Sequence, residues 1–278
     1  MVSAQARRAQ VSHLRSLGLS CRKACALVRV ARSTLDYESK LQVRDAEPTK
    51  RMKAFSARNP RLGYRMAREH LRRRGLPMSF QRAHRLWRKA GLQVPPRKRR
   101  RRSAKRDPRT LVPTMPNEVW AYDFVHDSCL NGQKLKCLTI VDEFTREPLA
   151  IEVRGSIRAS NVIQVLSRLI SERGAPTFLR SDNGPEFVAT ALQDWLRHRG
   201  IEAAYVPPGS PWKNGVIESF NGRFRDECLN QEVFNNRREA TVVIEMFRRN
   251  YNESRPHSSL GYLTPAEKLR QYKQAQTH

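Results

Sequence analysis

The sequence predicts an α/β core preceded by small all-helical units, and three observations support this fold class. Short apolar segments alternate with helical segments after residue 115. Before residue 95 the apolar residues recur at helical spacing, with capping residues between the segments. Charge is also unevenly divided: residues 1–109 carry 32 Lys and Arg against 6 Asp and Glu, whereas residues 110–278 carry 21 against 20. We therefore expect a basic helical arm joined to a nearly neutral core.

The formal charge of +27 is concentrated in that arm, as is typical of proteins that bind nucleic acid. A ribosomal-type protein or a binder of anionic membranes would also be basic, but neither needs a neutral, acid-bearing second half. The five cysteines form no Cys-x2-Cys pair and are odd in number, which argues against a disulfide framework and a zinc site. No signal peptide or membrane span is evident, so we expect a reduced, soluble protein of the cytoplasm.

Residues 1–45 are expected to form helices around a turn. Ser20 can cap a helix that runs through Val28, and the segment Arg32-Ser33-Thr34 can open the next helix. This pattern is typical of a helix-turn-helix, whose second helix would enter a major groove. Arg29 occupies the turn position where Gly is usual, and Arg adopts a positive φ less readily. A plain helical hairpin with a solvated basic face therefore remains an alternative.

Residues 46–94 are expected to form a second helical unit, with helices at 49–58, 64–73 and 80–90. Gly75 and Gly91 are placed as C-terminal stops and Ser79 as an N-cap. Arginines on the outward faces, including Arg65, Arg82 and Arg85, have few balancing acids nearby in the sequence. We interpret them as phosphate contacts, although a charged run is more often a solvated face.

Residues 95–112 form a basic linker that contains Arg99 and Arg100. Like charges at this density repel each other and resist packing. Such a run can serve as a flexible clamp on DNA or as a nuclear-localisation signal.

Two acids occur in apolar surroundings of the predicted core. Asp123 lies within a predicted strand at 119–125, and Asp182 follows a short buried strand. A carboxylate in such a place is costly unless something compensates its charge, for example a metal ion. The other predicted elements are strands at 135–142, 148–153 and 203–206, and helices at 159–173 and 188–199.

A third carboxylate lies on a predicted helix that begins after Asn214, a possible N-cap. Four apolar side chains share one side of this helix, and Glu218, Asn221 and Arg225 share the other. The helix alone is equally typical of an ordinary amphipathic surface helix. Three carboxylates from separate elements nevertheless make a suitable oxygen cage for Mg²⁺. Asp127, Asp142 and Glu186 are competing acids. A turn or an ion pair explains Asp142, and the start of a helix after a turn explains Glu186.

The remaining segments carry weaker signals. Trp212, in the loop before the Glu218 helix, is equally suited to the core or to stacking on a base. A helix is expected at 237–250, and Thr264-Pro-Ala-Glu267 is a capping signature for a last helix that ends near residue 271. His257 is expected to be structural or to contact DNA.

Several segments together resemble the catalytic core of DDE transposases and retroviral integrases, and most closely the second-frame (OrfB-type) subunit of bacterial insertion-sequence transposases. The matching segments are Trp120-Ala-Tyr-Asp123, Ser181-Asp182-Asn-Gly-Pro-Glu-Phe187, Pro208-Gly-Ser-Pro-Trp-Lys-Asn-Gly-Val-Ile-Glu218-Ser-Phe-Asn221, Asn250-Tyr-Asn and Arg255-Pro-His-Ser-Ser-Leu-Gly-Tyr. The resemblance implies an RNase H-like (integrase core) fold with Asp123, Asp182 and Glu218 as catalytic residues and metal ligands. It also implies two Mg²⁺ or Mn²⁺ ions per active site, and the joining of a freed 3′-OH to target DNA.

By the same resemblance, the partners are double-stranded DNA, further copies of the chain on that DNA, and possibly a first-frame OrfA-type subunit. The predicted DNA contacts are Arg225, Asn221, Asn214, Lys213, Trp212, Arg32, Ser33, Thr34, Arg65, Arg82, Arg85, Arg99 and Arg100. The predicted domains are a helix-turn-helix-like segment at 1–45, a helical DNA-binding domain at 46–94, the basic linker at 95–112, the catalytic core at 113–230 and a C-terminal helical extension at 231–278.

Overall fold

The computed structural model describes residues 4–36, 40–95, 111–182, 189–206 and 214–276. Within these ranges it combines two small helical units with one five-stranded mixed sheet that carries helices on both faces. No helix in this part of the chain is long and apolar enough to cross a membrane.

The first helical unit contains α1 (Ala4–Ser16) and α2 (Cys21–Val28). The Ser20 side chain accepts a hydrogen bond from the Lys23 backbone N–H, so the predicted N-cap is present. Arg29 ends α2 in the left-handed region with φ 53°, although Arg disfavours that region.

The prediction of an α-helix directly after this turn is wrong for the described residues. The segment Arg32–Thr34 forms a single 3-10 turn instead of opening an α-helix. No side chain caps its start, since Ala31 precedes it, and a 3-10 turn of this kind is usually short.

The second helical unit contains α3 (Lys40–Arg58), α4 (Tyr64–Arg73) and α5 (Phe80–Lys89) around Met52, Leu71, Leu86 and Trp87. The last two helices match the prediction to within one residue. Ser79 caps α5, and Gly75 and Gly91 follow α4 and α5 with positive φ, as expected for glycine at these ends.

The start of α3 differs from the prediction by nine residues, and the helix passes through the predicted boundary at 45/46. Pro48 lies inside the helix, where it has no N–H to donate to the carbonyl of Arg44. The Arg82 guanidinium supplies that bond, since its Nη2 lies 2.9 Å from the Arg44 oxygen. A contact from a helix almost forty residues away therefore stabilises a helix that the local sequence appears to interrupt.

The sheet has the order β3-β2-β1-β4-β5. Its strands are β1 (Val119–Ser128), β2 (Lys134–Asp142), β3 (Pro148–Arg154), β4 (Phe178–Ser181) and β5 (Glu202–Tyr205). The first three strands pair antiparallel, β4 pairs parallel with β1, and β5 pairs parallel with β4. This confirms the predicted mixed α/β architecture.

Helices cover the two faces of the sheet, and the alternation of side chains along β1 separates the two cores. Trp120 and Tyr122 pack with α6 (Ala159–Arg173) and α7 (Thr190–His198). Ala121 and Val125 pack on the opposite face with α8 (Gly215–Phe224) and α9 (Arg237–Glu253). Asp123 shares the parity of that second set, so its side chain belongs to the α8 face.

The C-terminal segment ends in α10 (Pro265–Gln276), five residues longer than predicted. Its capping box is complete, because Thr264 Oγ1 accepts from the Glu267 N–H and the Glu267 carboxylate accepts from the Thr264 N–H. Glu267 also receives both terminal nitrogens of Arg73 at 2.8 and 2.9 Å. The second helical unit is thereby bonded to the C-terminal segment.

Candidate active site

Asp123 lies in the middle of β1 and is only partly exposed. Its Oδ1 accepts a hydrogen bond from the Phe124 N–H at 2.7 Å, and its Oδ2 accepts one from the Asn221 amide at 2.8 Å. Two donors therefore fix the orientation of this carboxylate, which still has lone pairs available to a further ligand.

Asp182 lies at the end of β4, the strand that pairs directly with β1. The parallel register matches Val119 with Phe178 and Ala121 with Arg180. Continued by two residues, this register would bring Asp123 opposite Asp182, which directly follows β4. The pairing of β1 with β4 thus brings together the two segments that carry these acids, which the sequence alone could not show.

Glu218 approaches from α8, in the turn of the helix that also carries Asn221. The pKa of Asp123 is raised to about 6, mainly because the carboxyl is buried, and the negative charges of Asp182 and Glu218 raise it further. Asp182 and Glu218 thus lie close enough to Asp123 for their charges to affect its ionisation.

Asn221 connects β2 to the site. The Thr139 hydroxyl donates to the Asn221 amide oxygen at 2.9 Å, and the amide nitrogen donates to Asp123. The amide is therefore fully oriented by the protein, whereas the sequence assigned Asn221 to DNA. Thr139 was not identified from the sequence, because a Thr in a buried strand carries no signal of a polar partner 82 residues away.

An open groove of about 640 Å³ runs along this face, and Asp123, Glu218, Asn221 and Arg225 are among its lining residues. Arg225 follows α8 in one turn of wider, π-type helix. Its Nη2 donates to the His126 carbonyl at 3.0 Å. The guanidinium is thus held at the edge of the groove, where a predicted contact with a DNA phosphate is sterically open.

The donor set of this groove consists of carboxylate oxygens, the ligands that Mg²⁺ and Mn²⁺ prefer. A divalent cation would also relieve the like-charge repulsion that raises the pKa of Asp123. Among the residues that the structure describes, however, no three His, Cys, Asp or Glu side chains are arranged to hold a metal ion. The chemistry of the carboxylates therefore fits the metal, while the three groups are not closed around one point.

Asn214 does not act as predicted. It precedes α8, but its side chain makes no capping hydrogen bond. The residue is 5% exposed, and within the described part of the chain its Oδ1 has no hydrogen-bond partner. Burial makes a direct DNA contact by this side chain unfavourable in this conformation.

Arg82 and Arg85 were also predicted to face DNA, but both bind Asp45. The Arg82 Nε lies 3.0 Å from Asp45 Oδ1 and the Arg85 Nη2 lies 2.7 Å from Oδ2. Their charges are therefore partly neutralised by an acid on α3, which local sequence reasoning did not pair with them. Arg65 is exposed and lies over the ring of Tyr64.

The other predicted contacts have different outcomes. Arg32 and Ser33 are exposed and Thr34 is half-buried on the 3-10 turn. Lys213, Trp212, Arg99 and Arg100 lie outside the described residues, as does the competing acid Glu186.

Asp142 is explained by a turn, as predicted. Its carboxylate accepts hydrogen bonds from the backbone N–H groups of Asn117, Phe144 and Thr145. The sequence missed the neighbouring pair of Glu143 and Arg180, which are both almost fully buried. An Arg between apolar residues and Ser181-Asp182 was the available signal for such a pair.

Comparisons with known proteins agree with this architecture. The family described as Integrase core domain matches residues 113–211, a second family of that description matches residues 199–265, and an HTH-like domain matches residues 42–100. The HTH-like match thus covers the second helical unit. An RNase H-like α/β core of this kind defines the integrase-core class of polynucleotidyl transferases.

The similarity to curated proteins extends over most of the chain. "Insertion element IS407 uncharacterized 31.7 kDa protein" from Burkholderia multivorans is 40% identical over 251 residues, which cover 90% of this chain and 91% of the relative. "Insertion element IS476 uncharacterized 39.2 kDa protein" from Xanthomonas euvesicatoria is 38% identical and is matched over 75% of its length. The chain belongs to the family of bacterial insertion-sequence transposases, as an OrfB-type protein with an integrase core.

Solved structures with a similar fold include the HTLV-2 integrase catalytic core domain in complex with magnesium. That chain is 19% identical, with a TM-score of 0.42 over 56% of this chain and 98% of its own length. The integrase in a simian T-cell lymphotropic virus intasome covers 80% of this chain and 74% of its own, with 17% identity and a TM-score of 0.46.

Proposed function

We propose that this protein is a DDE transposase that cleaves the ends of insertion-sequence DNA and joins the freed 3′-OH to target DNA. The observations that support the proposal are the pairing of β1, which contains Asp123, with β4, which Asp182 directly follows, and the effect of the Asp182 and Glu218 charges on the Asp123 carboxyl. Like charges are rarely collected in this way unless a cation is to be bound.

Asp123, Asp182 and Glu218 would hold two Mg²⁺ or Mn²⁺ ions. Bound there, the ions would activate the attacking oxygen and stabilise the leaving oxygen of a phosphodiester. Asn221 and the Phe124 N–H keep the Asp123 carboxylate oriented, and Thr139 in turn keeps Asn221 oriented. Phosphoryl transfer depends mainly on such positioning and on charge stabilisation.

Two transfers follow one another at this groove. In the first, a water oxygen bonds to the phosphorus at the element end, the bond to the 3′ oxygen breaks, and a 3′-OH is freed. In the second, that 3′-OH bonds to a phosphorus of the target strand and displaces another 3′ oxygen. Arg225 at the rim would contact a phosphate of the bound strand.

The basic arm would supply most of the affinity for double-stranded DNA. We also infer that several copies assemble on the DNA, that a first-frame OrfA-type subunit is a possible partner, and that the protein works at the nucleoid in the bacterial cytoplasm.

A strand-joining assay tests this function. The full chain is incubated with Mg²⁺ and a duplex that carries the terminal sequence of its own element, and both cleaved and joined products are measured. Asp123→Asn, Asp182→Asn and Glu218→Gln should each abolish both products while DNA binding persists. Asp127→Asn is the matched control, since this acid lies on the same strand and its Oδ1 accepts from the neighbouring Ser128 N–H.

Full joining by any one of the three variants would contradict the proposed roles. Cleavage without joining by the unmodified protein would instead identify a nuclease of the same fold.

A further inference from the structure

A second groove lies on the other side of α8 from Glu218. We refer to it as the Arg146–Arg223 pocket; it is a cavity of about 360 Å³ whose rim holds Arg146, Arg223, Ser258 and Ser259. Its floor is made by Phe220 and Tyr251, both 2% exposed. The rim is therefore cationic and rich in hydroxyl groups, above an apolar base.

The charged side chains that line this pocket are both cationic. Arg223 projects from α8, where its Nη1 donates to the Ser219 hydroxyl at 2.8 Å. Arg146 lies in the turn after β2 with φ 63°. No acid occurs among the described residues that line the pocket. Arg255 lies nearby, but Glu227 receives its guanidinium at 2.6 and 2.7 Å.

His257 gives an independent indication that the pocket has a ligand. The residue is 3% exposed and lines the pocket, and its Nε2 has no hydrogen-bond partner among the described residues. Burial and the charges of Arg255, Arg223 and Arg146 lower the pKa of His257 to about 2, so the ring is neutral. A buried polar atom without a partner is unfavourable. In the neutral tautomer that carries its proton on Nε2, this nitrogen would donate a hydrogen bond to a ligand oxygen.

The pocket adjoins the carboxylate groove along α8. Gly215 and Ser219 line both cavities, so only the N-terminal part of α8 separates them. Glu218 and Arg223 are five residues apart, about 7.5 Å along the helix axis. A nucleic-acid strand that crosses α8 from the groove would therefore bring a nearby phosphate to the two arginines.

We propose that the Arg146–Arg223 pocket binds a backbone phosphate of the DNA strand whose reacting phosphodiester lies at the carboxylates. Guanidinium groups form bidentate, charge-assisted bonds with phosphate oxygens, and Ser258 and Ser259 can add donors. The pocket thus fixes the direction in which the strand leaves the active site. This inference rests on the proposed function, because the strand must occupy the groove.

The test uses the full chain, a labelled element-end duplex, and a series of duplexes in which one phosphate at a time is a neutral methylphosphonate. We expect one position near the reacting bond at which the neutral linkage weakens binding about tenfold, the size of one lost charge-assisted contact. In the double variant Arg146→Asn/Arg223→Gln, binding is weaker and that position no longer matters. Asn is chosen at residue 146 because it tolerates a positive φ.

Arg197→Gln is the control for loss of charge. Arg197 is 75% exposed and lies on α7, which packs on the other face of the sheet. This variant should retain the full sensitivity to the neutral linkage. The salt dependence provides a second measure: the double variant should lose about 0.9 from the slope of log K against log salt for the missing phosphate contact.

The outcomes separate the possibilities. If no linkage shows a loss that the double variant removes, the proposal is overturned. If inorganic phosphate raises the Tm of the protein through these arginines but no linkage is sensitive, the pocket binds a free anion only and the DNA contact is excluded. The methylphosphonate series on unmodified protein does not depend on variant folding. Failure of the proposed function would appear separately, as full joining by Asp123→Asn.

Discussion

The buried pair of Arg180 and Glu143 makes a quantitative prediction about the sheet that positions Asp182. Arg180 Nη1 lies 2.8 and 2.9 Å from the two Glu143 oxygens, and its Nη2 donates to the Leu111 carbonyl at 2.8 Å. Arg180 is 5% and Glu143 1% exposed. Arg180→Met would leave a buried carboxylate without its partner, a change that costs about 3–5 kcal/mol. At about 2–4 °C per kcal/mol for a domain of this size, the Tm should fall by roughly 6–20 °C.

Thermal unfolding followed by Trp fluorescence measures this loss, since Trp120 is fully buried in the adjoining β1. The double variant Arg180→Met/Glu143→Leu removes both charges and should recover most of the lost stability, because an apolar pair of similar volume is often neutral or better. Arg197→Gln, in the exposed pair with Asp194, should cost no more than about 1 kcal/mol. A single Arg180→Met variant as stable as that control would refute the reasoning.

Three further predictions follow from the hydrogen bonds and charges described above. Asn221→Ala removes the donor to Asp123 and should lower strand joining by about 10–100-fold, the usual effect of losing a group that orients a metal ligand; unchanged joining would exclude this role. His257 is neutral in the folded protein because its pKa is lowered to about 2. In the unfolded chain the same side chain binds a proton near pH 6.5. The free energy of unfolding should therefore fall as pH decreases below 6.5, by up to about 1.4 kcal/mol per pH unit. Urea unfolding of His257→Gln should show a shallower loss over that range, and an identical pH profile would contradict the assignment. Asp45→Asn removes the acid that neutralises Arg82 and Arg85. The variant should destabilise the second helical unit, and it should bind DNA more tightly if these arginines contact phosphate. A filter-binding titration that shows no gain in affinity would exclude the two arginines from the DNA-contacting surface.

Local signals predicted the elements well where caps and apolar spacing agreed. The helices at 64–73 and 159–173 begin and end at the predicted residues, because glycine and polar residues mark their boundaries. The three candidate carboxylates were proposed from the apolar surroundings of Asp123 and Asp182, the polar face of the Glu218 helix, and the resemblance.

What the sequence could not give depends on contacts between distant residues. The helix predicted to begin at residue 49 begins at Lys40 and contains Pro48, and Arg82 satisfies the carbonyl that the proline leaves unbonded. Asn221 was assigned to DNA because its partners, Thr139 and Asp123, are 82 and 98 residues away. In each case a polar side chain forms a hydrogen bond with a residue that is distant in the sequence, and only the three-dimensional structure shows this pairing.

The contacts of Arg73 also determine how the second helical unit is attached to the rest of the chain. One guanidinium bonds Glu69 on its own helix, the Glu267 carboxylate on α10 and the Tyr262 carbonyl. The second helical unit is therefore attached to the C-terminal segment by side-chain bonds as well as by the covalent connection at 95–112. A truncation that removes α10 would delete the Glu267 bonds, whereas the Tyr262 carbonyl and the Arg61–Asp226 pair would remain. Because the candidate catalytic residues all precede α10, this helix restrains the second helical unit without contributing to the candidate site.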